Sequence, residues 1–513
     1  MSITYTGMEL APANNQLAAY ITFDSDSAVS LSYTVIKRAT SSTSVDFTYE
    51  SSALLSTENG KLKIPVIGLY ANNINQVRVI FRDSDGQEIY NNIIEVDTQG
   101  QTYREATIFH LNIEQTDRNL FSSVWGNSWL MTTNCDGYDR NGDLRCYFSA
   151  PYRNQMLRTH NGYFYMGSDE DEHWYGRRFF KIDILGNEIL EFILRDSDGN
   201  LYANTHDLTW DSAGNLYMVG NDIPDRSTNT MRQDAWILKF NEQTGKMIWA
   251  KNYSSAFDGS QILNNSPTND AHLNSLTWLP SSAKNDEAII THSRSACVTF
   301  GISPETGAIL WTINTGGSNL QFPSGVEWST ATKLAMDIGA ELENGAHTVF
   351  VTNNDLIKAN IQLQPGQFVV SLFNNRSCVD SDGVAVVRPI TADSSVTPYQ
   401  TNPACVMFYL VDLNNKLVTR ANKTIELPGN KVPQITDFMG AVFEHGEYYS
   451  VYTNHARSFF ICDIAGNVIA SIYDVICSLD GYPEFSGECY RARLFEGDEL
   501  SSLVNVGVER ANA

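Results

Sequence analysis

Two short segments of the 513-residue chain place a histidine among small polar residues, just ahead of a strand-like run. The first is Thr205–Trp210 (THDLTW), which contains His206, and the second is His272–Trp278 (HLNSLTW), which also contains Asn274. Arg294 ends the next strand-like run. If the two segments belong to successive repeats arranged radially, both histidines face one centre.

These residue types suit the transfer of an anionic group. An imidazole titrates near neutral pH, so His206 and His272 could each move a proton or act as a nucleophile. The planar fork of Arg294 suits anionic oxygens, and Asn274 adds a neutral donor. A structural interpretation stays open, because a histidine next to an aspartate, as in His206-Asp207, also locks turns by hydrogen bonding.

The amino-acid composition indicates which kinds of binding partner are disfavoured. The formal net charge is −24, which disfavours nucleic acid and anionic membranes as partners. No run approaches ~18 consecutive apolar residues, so no membrane insertion is predicted. The N-terminal residues lack the basic and apolar regions of a signal peptide.

Eight cysteines bear on the compartment. Their spacing includes no C-x-x-C pair, so a zinc site is not predicted. Three pairs lie at loop-closing separations and would suit disulfides in an oxidising compartment: Cys135/Cys146, Cys378/Cys405 and Cys477/Cys489. Eight reduced thiols are the open alternative.

The chain divides by pattern into two domains. Residues 1–104 carry short alternating runs such as Val29–Ile36, which predict a small antiparallel β-sandwich. From residue 105 to 513, strands meet at recurring turns beginning at Asp139, Asp183, Asn241, Ser303, Asp412 and Asp463. All-β repeats of about 40–60 residues are typical of a propeller, and six repeats predict six blades. We attribute the one long interval to an insertion within 360–405, and expect the strand 488–495 to close the ring.

Several motifs in this order resemble the bacterial arylsulfate sulfotransferases that use no phosphoadenosine cofactor. The motifs are Ile64–Tyr70 (IPVIGLY), Asp139–Arg145 (DRNGDLR), the two histidine segments with Ser293-Arg294, and Tyr490-Arg491-Ala492. The resemblance implies a six-bladed propeller that needs no cofactor. It also implies small aromatic sulfates and phenols as substrates, a sulfated-histidine intermediate, a homo-oligomer and a periplasmic or extracellular location.

The resemblance also implies residue roles. His206 and His272 would be catalytic with Arg294, while Asn274 and Tyr490 would bind substrate. In one respect the sequence departs from the family, whose covalent nucleophile is a further histidine in the next blade. The corresponding window, 323–333, contains no histidine; His347 lies nearby on the wrong side of the motif and stays open only as a disfavoured substitute.

Two hypotheses follow for the function. In the first, the chain is an aryl sulfotransferase; in the second, it keeps the propeller without turnover, as a secreted binding module or a surface component of a larger assembly such as a virion. Two acidic segments, 136–143 and 169–173, are interpreted as a hairpin turn and a solvated loop, so no metal site is predicted.

Overall fold

The protein is mostly β, as predicted from its sequence. The structure is a computed structural model, which describes all residues except 1, 39–44, 52, 56–59, 105–106, 134–135, 150–151, 154–156, 169–175, 223–234, 258–271, 283–284, 295, 316–329, 338–342, 344, 377–402, 430, 432–433, 435, 437–438, 455, 476–488 and 513.

Two sheets form the N-terminal part of the chain. Their strands are β1 (Ile3–Leu10), β2 (Ala19–Ser25), β3 (Ser30–Val35), β4 (Phe47–Glu50), β5 (Lys61–Val66), β6 (Ile74–Arg82) and β7 (Glu88–Asp97). The sheet orders are β1-β2-β5 and β4-β3-β6-β7. Alternate side chains of β6 are buried, as one-sided burial of a strand requires. Phe23 packs edge-on against Phe81 with ring centroids 5.0 Å apart, which joins the two sheets into the predicted sandwich.

Six antiparallel sheets of four main strands follow in the described part of the chain. The elements up to the second of these sheets are β8 (Ile113–Gln115), α1 (Arg118–Trp125), β9 (Trp129–Thr132), β10 (Gly137–Tyr138), β11 (Leu144–Cys146), β12 (Tyr152–Arg153), β13 (Thr159–His160), β14 (Tyr163–Ser168), β15 (Phe179–Ile182) and β16 (Glu188–Phe192). The short strands β12 and β13 both pair with β14.

The remaining four sheets come from residues 202–472. Their elements are β17 (Tyr202–Trp210), β18 (Leu216–Asp222), β19 (Trp236–Phe240), β20 (Met247–Asn252), β21 (Leu273–Leu279), β22 (Ala288–Ser293), β23 (Val298–Ile302), β24 (Ile309–Asn314), β25 (Thr332–Met336), β26 (His347–Val351), α2 (Asp355–Ile361), β27 (Gln367–Asn374), β28 (Cys405–Asp412), β29 (Leu417–Arg420), β30 (Ile425–Glu426), β31 (Ala441–His445), β32 (Tyr448–Thr453), β33 (Ser458–Asp463) and β34 (Val468–Ile472). These sheets are β17–β20, β21–β24, β26–β29 and β31–β34. Strand β25 pairs in parallel with β24 and with β29, and so joins the sheet β21–β24 to the sheet β26–β29.

The recurring turns each connect the last two strands of a sheet formed in chain order. At Asp183 the carboxylate Oδ1 accepts from the backbone N–H of Leu185 and of Asn187, at 3.0 and 2.9 Å. Gly186 adopts φ 90°, which a residue with a Cβ disfavours. The same Asp-to-Asn geometry returns at Asp463, so local turn chemistry sets the repeat.

One blade contains the long insertion. Strands β27 and β28 are hydrogen-bonded along their whole length, although 30 residues separate them in sequence. Most of that segment lies outside the described residues. The long interval between turns therefore belongs to a single sheet, as predicted.

The chain ends with β35 (Ala492–Phe495) and α3 (Gly497–Ala511). Strand β35 pairs with β9 and so completes the first blade, as expected for the closing strand. The helix was not expected, although its buried residues have helical spacing: Leu500, Leu503, Val504, Gly507 and Val508. It packs on β5 of the sandwich.

Contacts divide the chain into two compact units. The first comprises Met1–Ser168, Phe180–Glu191 and Ile472–Ala513, and the second comprises Asp169–Phe179 and Phe192–Ser471. The boundary at residue 104 stays a prediction. Within the described residues, no helix is long and apolar enough to cross a membrane.

Candidate functional site

The predicted residues of the second unit lie on or next to neighbouring strands. Strand β17 lies beside β21, β21 beside β26, and β26 beside β31. The backbone takes the left-handed conformation at His206 (φ 51°), in the bulge within β17, and near the start of the other three strands at His272 (φ 47°), Thr348 (φ 54°) and Met439 (φ 58°). Residues other than glycine rarely adopt this conformation, and it is concentrated at functional sites.

The two predicted histidines meet. The rings of His206 and His272 lie edge to face with centroids 4.9 Å apart. His206 is buried, and its Nδ1 lies 2.5 Å from the hydroxyl oxygen of Thr205. His272 is partly exposed, so its ring can meet a solute. The radial-repeat prediction for this pair is consistent with the observed geometry.

Arg294 follows β22 and is held beside the same pair. Its backbone N–H donates to the carbonyl oxygen of His272 at 3.0 Å. Its guanidinium is close enough to lower the pKa of both Glu343 and Cys297, although burial outweighs that effect and raises both values overall. The backbone of Arg294 therefore contacts that of His272, and its cation lies within electrostatic range of the buried carboxyl group of Glu343.

The polar residues next to the histidines tie one blade to the next. Asp207 accepts from its neighbour Leu208 N–H at 3.0 Å and from Leu276 N–H of β21 at 3.1 Å. Asn274 donates from Nδ2 to the carbonyl oxygen of Ala346 at 2.7 Å. One of the two amide hydrogens of Asn274 is therefore used within the protein, which leaves at most one for substrate oxygens. The structural interpretation of the His206-Asp207 pair, in which the residues serve as hydrogen-bonding partners of the backbone, therefore accounts for Asp207.

His347 occupies the first position of β26, the strand that follows β21 around the sheets. Its Nε2 accepts from the Met439 N–H at 3.2 Å, so the ring proton lies on Nδ1. Nδ1 in turn lies 2.6 Å from Asn375 Oδ1, which accepts that proton. The next blade therefore does present a histidine at the start of its inner strand, a position that the sequence pattern did not reveal.

A buried cluster beneath the histidines was missed in the sequence. His292 Nε2 and Glu343 Oε1 lie 3.4 Å apart, and neither side chain is exposed. Burial, with a contribution from the charge of His272, lowers the pKa of His292 to about 3. Burial also raises the pKa of Glu343 to about 7. Both groups are neutral in mildly acidic solution, so their contact is not an ion pair there. The strand residues around His292 (AIITHS) are apolar enough to signal a buried histidine.

Tyr490 belongs to the other compact unit. It is buried, and the Arg491 guanidinium carbon lies 5.2 Å from its ring centroid. Its substrate-binding role stays a prediction.

The acidic segment 136–143 contains the turn between β10 and β11, and the carboxylates of Asp136 and Asp139 face arginines. Arg104 contacts Asp136 at 2.7 Å, and Arg145 contacts Asp139 at 2.6 Å. The other acidic segment, 169–173, lies outside the described residues, as does one member of each predicted disulfide pair. In the part of the chain that the structure describes, no three potential ligands cluster for a metal.

Comparison with solved structures yields remote likenesses. Hydrazine synthase of Kuenenia stuttgartiensis is 8% identical over 77% of this chain and 75% of its own, with a TM-score of 0.29. AztD of Citrobacter koseri is 9% identical over 91% and 99%, with a TM-score of 0.28. The WD40 domain of Toxoplasma gondii coronin is 9% identical over 72% and 77%, also with a TM-score of 0.28. Scores this low support no argument, and no curated protein matches the chain.

The family comparison is informative. Residues 8–99 match the Arylsulfotransferase Ig-like domain, in agreement with the N-terminal sandwich. Residues 94–431 match Arylsulfotransferase (ASST), which is more than half of the chain. The protein therefore belongs to the arylsulfotransferase (ASST) family, as the sequence motifs predicted.

Proposed function

We propose that this protein transfers a sulfuryl group from an aryl sulfate to a phenol beside the bulge of β17 and the first residues of β21 and β26. The observation that carries the proposal is the His206–His272 ring contact with Arg294 hydrogen-bonded to the His272 backbone, in a chain of this family. A cation and two imidazoles at one place suit a group whose charge lies on three oxygens.

We assign the roles from the local contacts. Arg294 binds the sulfuryl oxygens through its guanidinium hydrogens. His272 is partly exposed and donates a proton to the departing phenolate oxygen. His206 lies behind it and sets its orientation through the ring contact. Asn274 binds substrate beside these residues, as the resemblance to the family implies.

We assign the covalent step to His347. Its Nδ1 proton is held by Asn375, so the lone pair lies on Nε2, where an imidazole nucleophile needs it. This lone pair accepts from Met439 N–H at 3.2 Å, and that bond must open before attack. The S–O bond to the aryl group then breaks as the S–N bond forms. In the second half, the phenol acceptor loses its proton to His272, and its oxygen forms a new S–O bond as the S–N bond to His347 breaks.

An assay with 4-nitrophenyl sulfate and a phenol acceptor tests the proposal. We expect nitrophenol release that depends on the acceptor. The variants His347→Gln and His272→Gln should lose roughly 10²-fold or more in kcat, the usual scale for a lost acid–base or nucleophilic group. His110→Gln is the matched control, because this histidine lies in the other unit and contacts Asp143.

Mass spectrometry identifies which histidine carries the sulfuryl group. When the donor is supplied without acceptor and the reaction is quenched, wild type should carry one SO3 group on the peptide containing His347. An adduct on the peptide of His272 would transfer the nucleophile role to that residue. No release with any acceptor would refute turnover and favour a binding module. We place the protein outside the cytoplasm, on the family resemblance and the cysteine spacing.

A further inference from the structure

A fully buried carboxyl group lies beside the site and has no part in the proposed chemistry. Glu343 is separated by two residues from Ala346, and its Oε2 accepts from the Ala346 N–H at 2.9 Å. The carbonyl oxygen of Ala346 accepts from Asn274, and the next residue is His347. Glu343 therefore holds the peptide that connects Asn274 with the proposed nucleophile.

The number of hydrogens indicates the charge state of this group. The hydroxyl oxygen of Thr315 lies 2.8 Å from the carbonyl oxygen of Cys297 and 2.8 Å from Glu343 Oε1. A hydroxyl has one hydrogen, and a carbonyl oxygen only accepts. Both contacts are hydrogen bonds only if Glu343 carries a proton and donates it to Thr315, which then donates to Cys297.

The groups around the carboxyl do not favour its ionisation. His292 faces it from β22 and is held neutral by burial, which lowers its pKa to about 3. The thiol of Cys297 also contacts it, and burial raises the pKa of that thiol. The charge of Arg294 favours ionisation of Glu343, but its effect is smaller than that of burial, which raises the pKa of Glu343 to about 7.

We infer that Glu343 is a positioning residue that acts as the neutral acid: it closes the hydrogen-bond chain to Thr315 and Cys297 and holds the peptide before His347. The inference rests on the proposed function for its effect on substrate. On ionisation, the Thr315 hydroxyl turns to the carboxylate and the Cys297 carbonyl loses its donor. The new anion also offsets the attraction of Arg294 for a sulfate. Neutral buried carboxylic acids serve as donors in other active sites for the same electrostatic reason.

The variant Glu343→Gln tests this inference, because an amide donates to Thr315, accepts from Ala346 and does not ionise. The measurement is KM for 4-nitrophenyl sulfate from pH 5.5 to 9 in wild type and variant. We expect similar KM below pH 6, and a wild-type KM that rises roughly tenfold relative to the variant above pH 8, the scale of one nearby charge. The control is Glu444→Gln, another largely buried carboxyl whose pKa is raised by burial.

Two results would overturn the inference. One is a wild-type to variant KM ratio that stays constant with pH. The other is loss of activity in Glu343→Gln at every pH while Glu444→Gln stays active, because the ionised form would then be the working one.

A second measurement does not need turnover. Hydrogen exchange of the peptide 343–351 should be unchanged in Glu343→Gln and faster in Glu343→Ala, because only alanine removes the acceptor for Ala346 N–H. If wild type shows no sulfuryl transfer but exchange follows this order, the proposed function fails and the positioning contact stands. Equal exchange in all three proteins would refute the contact itself.

Discussion

The buried pair His292 and Glu343 predicts an unusual dependence of stability on pH. Burial raises the pKa of Glu343 to about 7 from an ordinary value of 4.5. As pH rises from 4.5 to 7, the unfolded chain loses this proton before the folded one does. The folded state therefore binds more protons in this window, and its stability falls by roughly 3 kcal/mol as pH rises through it.

His292 has the opposite effect. Burial lowers its pKa to about 3 from an ordinary value of 6.5. Between these values the unfolded chain binds the extra proton, so stability rises with pH by roughly 5 kcal/mol. From pH 4.5 to 6.5 the two contributions have opposite slopes and largely cancel. Wild type should therefore show little dependence on pH from this pair in that window.

Replacing one residue of the pair leaves the pH dependence of stability due to the other. In Glu343→Gln the stabilising effect of higher pH, due to His292, remains alone, so the variant should gain stability relative to wild type as pH rises. The difference in unfolding free energy between variant and wild type should change by roughly 3 kcal/mol in favour of the variant from pH 4.5 to 8. His292→Gln should show the reverse slope, with stability falling from pH 4.5 to 7.

Urea unfolding followed by tryptophan fluorescence and by far-UV circular dichroism measures these differences. The comparison uses the midpoint and slope at each pH, and the transition of the second unit is the one expected to move. A variant-to-wild-type difference that does not change with pH would refute the reasoning, since it would mean that Glu343 titrates alike in the folded and unfolded chains. Glu444→Gln is the control for a general effect of replacing a buried glutamate.

Three further predictions concern other parts of the chain. Asp207→Ala removes the acceptor of two buried N–H groups, one of them on Leu276, and should cost about 2–5 kcal/mol in urea unfolding, while Asp207→Asn, which keeps one acceptor oxygen, should cost less. Arg145→Met leaves the buried carboxylate of Asp139 without its cation and should cost about 3–5 kcal/mol, and the double variant with Asp139→Leu should recover part of that loss. If the three predicted disulfides form, protein unfolded without reductant should show fewer reactive thiols than the eight cysteines of the sequence, and eight reactive thiols would exclude them.

The repeated turns could be predicted from the sequence because their hydrogen bonds join residues only a few positions apart. The carboxylate of Asp183 bonds N–H groups two and four residues later, and Gly186 supplies the left-handed backbone. Such a turn forms wherever these residues occur at this spacing. The alternating burial of β6 is local in the same sense. The all-β class, the N-terminal sandwich and the repeat could therefore be predicted without a structure.

The site was only partly predictable. His206 and His272 were found because each follows the same local pattern. The pattern could not show that Asn274 is engaged by Ala346, 72 residues away, nor that His347 faces Met439, 92 residues away. It also gave no sign that α3 packs on the sandwich. Contacts between distant residues depend on how blades meet, and no local rule specifies them.

The sequence by itself determined the strands, the turns and the family, and it marked the two histidine segments, because periodicity and turn chemistry act over a few residues. The tertiary structure alone decided the protonation of the buried groups. Glu343 and His292 are ordinary titratable residues in the sequence, and their neutral forms come from desolvation and from partners on other strands. The charge of a group in a protein interior depends on what surrounds it in space. The cluster of His292 and Glu343 could therefore be recognised only from the tertiary structure.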